Sequence, residues 1–467
     1  MCLQGGRKMR HFLERITALF LLCCFMLAFS GCAELTGLDA QGLMLPPKTT
    51  ADHQAIYELM RDGQTDIKLV YPKNGEYRSA VVSKDIDKDG SLDVVTFCVN
   101  SEAGGIRLEF FSREKDGSWY SRAEFISTAN QVDRVFFGDV TGDGQEEIVI
   151  GWGDPFTATA SISVYCLTNR GAEEIQMSAQ PYSEMIMTDF EGDGISELFV
   201  LEVTGQPAED GSVEVPLGRL FRFNGEQSYV AQTVPLDPAI TRYTSAVFMP
   251  VNSWHKAAVI DGIKADGRMI TQVIGYNGTT QMLEAPLSNA TTETPNLTDR
   301  AAALSINARD INNDTVIEIP TAELRVRKSN TAVDSTGYCV TWNTYSPEDN
   351  RFTPVCSSIV NAAENYYLML PAGTENIACA NDTVTRRATF FRYERKGYDD
   401  LLIGQQDLCS ITVYSETAWE STGIQEEDIM LGSLAGRVYA LSVLDPELST
   451  ESDLIRRIAE GFKILSE

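Results

Sequence analysis

The chain has 467 residues, too many for one typical domain, so we expect two or three compact units or a repeat array with an additional domain. Hydrophobic residues make up 43% and charged residues 22%, which is typical of a globular protein that buries a core. The net charge of −28 repels nucleic acid and anionic lipid, so no nucleic-acid partner is expected and small cations are favoured as ligands.

The N-terminus has the pattern of a secretory signal. Basic residues from Arg7 to Arg15 precede an apolar run over 16–29 and then the small residues before Cys32. That run is shorter than the roughly 20 residues of a membrane span, which favours a cleaved signal over a permanent anchor.

The segment Phe29-Ser30-Gly31-Cys32 resembles the lipobox of bacterial lipoproteins, although Phe29 stands where that family usually has Leu. The resemblance implies that residues 1–31 are removed and that a lipid is attached to Cys32. The mature protein would then lie outside the cytoplasm, with its N-terminal lipid in the cell membrane as its only anchor.

Residues 32–65 are expected to form a tether and one short helix. Glycine and proline punctuate the tether, and an amphipathic stretch begins at Thr50 with Ile56, Leu59 and Met60 on one face. The body of the chain has six further cysteines in no zinc-ligand spacing, which are either buried free thiols or disulfide partners. These cysteines are Cys98, Cys166, Cys339, Cys356, Cys379 and Cys409.

Four acidic segments follow, and the first three recur at roughly 50-residue intervals. We name them loop one (85–93), loop two (139–147), loop three (189–197) and loop four (310–318). The first three have side-chain oxygen at positions 1, 3, 5 and 9 and glycine at position 6, whereas loop four has Thr315 at position 6. The candidate ligand residues are Asp85, Asp87, Asp89, Ser91 and Asp93 in loop one; Asp139, Thr141, Asp143, Gln145 and Glu147 in loop two; Asp189, Glu191, Asp193, Ile195 and Glu197 in loop three; and Asp310, Asn312, Asp314 and Glu318 in loop four.

Each repeat also has the pattern of four short strands separated by glycine and aspartate turns. In the first repeat the expected strands are Arg78–Lys84, Val94–Asn100, Ile106–Arg113 and Trp119–Ser127. Four antiparallel strands per unit is one propeller blade. A fourth unit without the signature carries Asn252-Ser253-Trp254-His255 in place of the acidic loop. The sequence therefore predicts a mainly β fold, a β-propeller of about five four-stranded blades over residues 66–357, with six or seven blades as the alternative.

The acidic loops predict calcium binding. Carboxylates packed within nine residues repel one another unless a cation neutralises them, and glycine at position 6 permits the sharp turn that folds them together. Calcium accepts six to eight oxygen ligands, here supplied by side chains and by the backbone carbonyl at position 7. An EF-hand would need a glutamate at position 12 and flanking helices, but Thr96, Ile150 and Val200 stand there between strand-like segments.

Residues Phe137-Gly138-Asp139 and the following Thr141, Asp143 and Gly144 resemble the FG-GAP or VCBS repeats of integrin-type β-propellers. This resemblance implies calcium in the loop that joins the first two strands of a blade, and a fold often of seven blades.

Residues 358–467 lack the acidic signature and are expected to form a small α+β domain. Strand-like runs precede a predicted helix from about Thr450 to Leu465, with Thr450 and Asp453 as a capping pair.

Catalytic motifs are missing from this sequence. The mature chain keeps only His53 and His255 as histidines, and it has no GxSxG, HExxH or phosphate-binding glycine loop. We therefore expect a non-enzymatic, surface-displayed binding or scaffold module with a protein or glycan ligand. The alternative is a carbohydrate- or peptidoglycan-active enzyme with its site in the propeller channel or between the domains.

Overall fold

The computed structural model describes residues 51–61, 67–100, 104–154, 157–169, 171–177, 181–202, 215–285, 298–301, 306–327, 337–374, 376–395, 401–422 and 428–465. The signal, Cys32 and the tether up to residue 50 lie outside these residues. The chain divides into two compact units, Met1–Ile67 and Lys68–Glu467. Among the described helices, none combines the length and the apolar character needed to cross a membrane.

The described part of the first unit is helix α1, Ala51–Arg61. It matches the amphipathic stretch expected from Thr50. Ile56 and Met60 are each 1% exposed, whereas Leu59 is 38% exposed, so the buried face is narrower than the sequence predicts.

Four antiparallel sheets open the second unit, and each pairs its four strands in chain order. The strands of the first two sheets are β1 (Val81–Lys84), β2 (Asp93–Val99), β3 (Ile106–Arg113), β4 (Trp119–Ser127), β5 (Gln131–Gly138), β6 (Glu147–Asp154), β7 (Thr157–Thr168) and β8 (Gly171–Ile175). Those of the next two are β9 (Glu184–Thr188), β10 (Glu197–Leu201), β11 (Leu217–Phe223), β12 (Ser228–Pro235), β13 (Ile240–Pro250), β14 (Lys256–Lys264), β15 (Arg268–Asn277) and β16 (Met282–Glu284), with β17 (Arg300–Ala301) pairing with β15. The predicted strands of the first repeat are confirmed to within three residues at their ends.

The fifth sheet continues into the C-terminal region. Its strands are β18 (Ile319–Arg327), β19 (Gly337–Ser346), β20 (Arg351–Asn361) and β21 (Tyr366–Met369). Loop four precedes β18, and a single bridge between Arg309 and Glu318 stands where the other sheets have a first strand. The strands β18, β19 and β20 therefore correspond to the second, third and fourth strands of the earlier sheets. The expected domain boundary at residues 357–358 falls inside β20.

The hydrophobic cores lie between successive sheets. One core combines Phe97 and Phe110 of the first sheet with Ile150 and Trp152 of the second, and equivalent cores join each later pair of neighbouring sheets. The second strands are consequently apolar at consecutive positions, because both of their faces are covered. Sheets stacked face to face in chain order are the blades of a β-propeller, so the predicted fold class is confirmed, with five blades.

The C-terminal region has both strands and helices. Its elements are β22 (Ile377–Asp382), β23 (Arg387–Arg395), β24 (Leu401–Ser415), α2 (Glu416–Thr422), β25 (Asp428–Leu434), β26 (Arg437–Val443), α3 (Asp453–Glu460) and β27 (Phe462–Ile464). The strand order β22-β23-β24-β26-β25 departs from the simple meander of a blade. Residues of this region pack on Ile359 and Leu368 and so cover one face of the fifth blade.

The last helix is shorter than the sequence predicts. It ends at Glu460, and Phe462–Ile464 pairs with β21 instead of continuing the helix. A Cβ atom on Gly461 would lie 2.3 Å from the carbonyl oxygen of Met369, so the close approach to β21 requires glycine there. The helix starts after Ser452, and the predicted capping role of Thr450 is wrong.

All six cysteines of the body are free thiols, and four of them are buried. Burial raises the pKa of the Cys379 and Cys409 thiols to about 12. These side chains act as small apolar groups within the core of the C-terminal region.

Candidate metal centres

Loops one, two and three occupy the same place in their blades. Each joins the first strand to the second, between β1 and β2, β5 and β6, and β9 and β10. Loop four directly precedes β18. The acidic segments therefore lie at one end of their sheets, because antiparallel strands paired in chain order return every first-to-second loop to the same edge.

The four loops share three hydrogen bonds. The carboxylate at position 1 accepts from the N–H at position 6, the carboxylate at position 5 from the N–H at position 7, and the acid at position 9 from the N–H at position 2. The position 1 bonds are Gly90 to Asp85, Gly144 to Asp139, Gly194 to Asp189 and Thr315 to Asp310, at 2.8–3.1 Å. The position 5 bonds are Ser91 to Asp89, Gln145 to Asp143, Ile195 to Asp193 and Val316 to Asp314, at 2.7–2.9 Å. The position 9 bonds are Ile86 to Asp93, Val140 to Glu147, Phe190 to Glu197 and Ile311 to Glu318, at 2.9–3.2 Å.

Two residues in every loop have left-handed backbone. Position 6 is expected to do so, and Gly90, Gly144 and Gly194 have φ between 89° and 91°. Position 4 also has left-handed backbone, which the sequence did not predict. Loop four reaches the same conformation without glycine, since Asn313 has a φ of 63° and Thr315 a φ of 73°. A β-branched residue at that φ is strained, so the surrounding contacts hold the loop in shape.

The acid at position 9 is buried in all four loops. Asp93 is 5% exposed, Glu147 and Glu197 are 1% exposed, and Glu318 is fully covered. Desolvation raises the pKa of Glu147 and of Glu197 to about 7, against an ordinary value of 4.5. Burial likewise raises the pKa of Asp93 and of Glu318. Burial therefore makes these carboxylates costly to ionise.

Loop one contains buried carboxylate oxygens without a partner. The Oδ1 atoms of Asp85 and Asp87 are covered and have no hydrogen-bond partner among the described residues. Carboxylate oxygens of Asp85, Asp87 and Asp89 lie within 4.8 Å of one another, close enough to share one ion. A buried acceptor without a donor is expensive, so this donor set fits a cation.

Loop three brings together a second carboxylate group, formed by Glu191, Asp193 and Glu197 within the same 4.8 Å. In loop two and loop four the described carboxylates do not form a comparable group of three, because position 3 is Thr141 in one and Asn312 in the other. In loop four Asn312 donates to Asp314 at 2.9 Å instead.

Arginines from later strands reach the loops with three carboxylates. Arg122 of β4 contacts Asp87 at 2.9 Å and Asp93 at 3.6 Å. Arg222 of β11 pairs with Glu191 and lies 3.5 Å from Glu197. The sequence did not predict either arginine, because each lies about 30 residues beyond its loop. No local signal could have found them, because strand pairing brings them there.

Backbone hydrogen bonds link the loops of neighbouring blades. The N–H of Glu146 donates to the carbonyl of Ile86 at 3.0 Å, and the N–H of Ser196 donates to the carbonyl of Asp139 at 2.7 Å. The N–H of Ile317 donates in the same way to the carbonyl of Pro250 at 2.8 Å. The fourth blade thus keeps the backbone link although it has lost the acidic loop.

Comparison with known proteins gives one sequence match to a family. Residues 85–150, which span loop one and loop two, match a family described as FG-GAP-like repeat. A search of curated proteins found no match. Among solved structures, a protein from Lactobacillus plantarum is 12% identical, with 72% of this chain and 86% of that chain covered and a TM-score of 0.29. The Dos1 propeller is 9% identical, with 79% and 67% covered and a TM-score of 0.28. The sheets described above and the FG-GAP-like match together indicate the propeller fold.

Proposed function

We propose that the chain is a lipid-anchored, extracytoplasmic binding or scaffold module whose propeller is stabilised by calcium. The FG-GAP-like repeat and the propeller fold support a binding or scaffold role in general. The lipobox-like segment that ends at Cys32 supports the anchor. The sequence offers no catalytic motif, so the proposed role is not enzymatic.

The observation that carries the calcium proposal is the partnerless pair of oxygens in loop one. Asp85 Oδ1 and Asp87 Oδ1 are buried beside a third carboxylate. The same loop conformation recurs in three further places. Calcium prefers oxygen ligands in flexible geometry, and it would neutralise carboxylates whose ionisation is otherwise disfavoured. Its role would be to fix the loops, and through them the ends of the blades at which they lie.

The residues that would hold calcium are those of positions 1, 3, 5, 7 and 9 in loops one to three and those of positions 1, 3, 5 and 9 in loop four. They are Asp85, Asp87, Asp89, Ser91 and Asp93; Asp139, Thr141, Asp143, Gln145 and Glu147; Asp189, Glu191, Asp193, Ile195 and Glu197; and Asp310, Asn312, Asp314 and Glu318. Position 7 would contribute its carbonyl oxygen.

Elemental analysis and calorimetry of the purified protein test the proposal. We expect bound calcium, and a melting temperature that falls on chelation and recovers with calcium but not with the same concentration of magnesium. At one hundred times the dissociation constant a single site adds about 2.7 kcal/mol to the free energy of unfolding. A protein that contains no divalent ion and melts at the same temperature with and without chelator would refute it.

A matched pair of variants separates a metal site from an ordinary turn. Asp87→Asn should reduce the calcium-dependent shift. Asp116→Asn changes an aspartate in a turn outside the acidic loops, where its carboxylate accepts from the Ser118 N–H at 3.0 Å, and should leave the shift unchanged.

The anchor has its own test. Replacing Cys32 by Ala should abolish incorporation of labelled fatty acid and release the exported protein from the membrane fraction. Continued membrane association of that variant would contradict lipid anchoring at this residue.

A further inference from the structure

Two clefts occupy equivalent positions between blades. The first, about 320 Å³, lies between loop one, the end of β3 and the β7–β8 turn of the next blade. The second, about 450 Å³, lies between the β13–β14 loop, the end of β15 and the β19–β20 turn of the next blade. Each is walled by the first-to-second loop and third strand of one blade and by the third-to-fourth turn of its neighbour. The second cleft therefore lies at the position that an acidic loop occupies in other blades, although the fourth blade has no acidic loop.

The loop that replaces the acidic segment presents a tryptophan to solvent. Trp254 is 88% exposed, and it directly precedes His255 and Lys256, which line the cleft. Asn252 holds this loop, because its Oδ1 accepts from the N–H of Trp254 at 2.8 Å and from the N–H of His255 at 2.9 Å. Its Nδ2 donates to the carbonyl of Tyr345 at 2.8 Å, which ties the loop to the fifth blade. The exposed ring thus sits on a fixed turn.

The opposite wall is fixed in the same way. Asn277 accepts from the N–H groups of Thr279 and Thr280 at 2.9 and 3.2 Å, and it donates to Glu284 at 2.9 Å. Tyr276 lines this wall as well, and its hydroxyl lies near Glu191 of loop three. A cavity with two fixed walls loses little conformational entropy when a ligand enters.

The charges around the cleft do not favour an anionic ligand. Lys256 and His255 lie near Glu284 and Glu348, and His255 Nε2 is 3.3 Å from Glu348 Oε1. The two signs offset each other locally, and the chain as a whole, at −28, repels anions. A neutral ligand with many hydroxyl groups fits this surface, because amide, carboxylate and ammonium groups can all hydrogen-bond to hydroxyls.

We infer that the cleft beside Trp254, between the fourth and fifth blades, is a binding site for a neutral sugar. The apolar C–H face of a pyranose ring would pack on the indole, while Lys256, Asn277 and Glu284 meet the hydroxyls. The cavity volume of about 450 Å³ falls within the range of roughly 300–1,000 Å³ typical of small-molecule sites. The inference rests on the proposed role as a binding module and names the ligand class.

Isothermal titration calorimetry of the calcium-loaded protein tests it, with cellotetraose, maltotetraose and N-acetylchitotetraose as probes. We expect saturable binding of at least one, weakened by at least about ten-fold in Trp254→Ala and by less in Trp254→Phe. Tyr71→Ala removes another exposed aromatic ring, 54% exposed, and should bind as the wild type does. Binding of none of the three probes, or equal binding by Trp254→Ala, overturns the inference. Binding of tetraalanine without any sugar would assign the cleft to peptides and overturn it too.

The same samples separate this inference from the proposed function. Trp254→Ala should keep the wild-type melting temperature and its calcium-dependent shift, since Trp254 lies outside the acidic loops. A calcium-dependent shift without sugar binding defeats only the sugar site. If sugar binding depends on Trp254 but calcium does not change the melting temperature, only the calcium proposal is refuted.

Discussion

Arg122 joins loop one to the second blade through Asp87. Its Nη1 donates to Asp87 Oδ2 at 2.9 Å, and its Nη2 donates to the carbonyl of Thr168 in β7 at 2.7 Å. The guanidinium therefore neutralises one side of the loop one cluster, while the Oδ1 atoms of Asp85 and Asp87 still have no hydrogen-bond donor among the described residues. A cation in the loop and Arg122 would share the same carboxylates.

Replacing Arg122 by Met should destabilise the calcium-free protein more than the calcium-loaded protein. Without metal, the change leaves the half-buried Asp87 and the buried Asp93 uncompensated, which costs about 1–3 kcal/mol. Saturating calcium would supply part of the missing charge. Chemical denaturation with chelator and with calcium measures both losses, and equal losses would contradict a shared site.

Replacing Thr315 by Gly should stabilise the protein by about 1 kcal/mol, because glycine adopts the left-handed conformation of position 6 without strain. The matched control is the reverse change in loop two, Gly144→Thr, which should cost about 1–3 kcal/mol. Thermal unfolding at saturating calcium gives both values. A loss of stability in Thr315→Gly would show that the threonine side chain contributes more than its strain costs.

The ion pair between Asp261 and Arg300 should be the most sensitive polar contact of the fourth blade. Asp261 is 1% exposed and lies 2.9 Å from Arg300, and it also accepts from the N–H of Ala308 at 2.8 Å. Asp261→Asn leaves a buried guanidinium uncompensated and should cost about 3–5 kcal/mol. Asp266→Asn removes an exposed aspartate paired with Arg268 and should leave the melting temperature unchanged. Similar melting temperatures for the two variants would contradict this account.

The stability of the calcium-free protein should fall as the pH rises from about 4.5 to about 7. Burial raises the pKa of Glu147 and of Glu197 to about 7, so the folded state binds more protons than the unfolded state in this window. The stabilisation is complete below the unfolded value and is lost as the pH passes the folded value. Unfolding in chelator at each pH measures the slope, and saturating calcium should weaken it, since the metal favours ionised carboxylates.

A double variant, Glu147→Gln with Glu197→Gln, is the control for the other titrating groups of this acidic chain. It should flatten the slope between pH 4.5 and 7 while the dependence outside that window stays as in the wild type. An unchanged slope would assign the effect to other carboxylates.

The sequence could specify the loops because their chemistry is local. The aspartates at positions 1 and 5 each bond to an N–H within five residues, and glycine at position 6 supplies the conformation that this requires. Short strands between glycine and aspartate turns are local too, and the strands of the first blade lie where the sequence places them. Repetition of one local pattern then predicted the propeller.

Tertiary structure alone decided which distant groups meet the loops and the clefts. Arg122 and Arg222 reach their carboxylates through strand pairing, and the last helix stops at Gly461 because β21 passes too close for a side chain. His255 and Glu348 are more than 90 residues apart in the chain, and only the stacking of two blades brings them to one cleft. Contacts of this kind depend on the packing of whole sheets, which leaves no trace within a few residues of sequence.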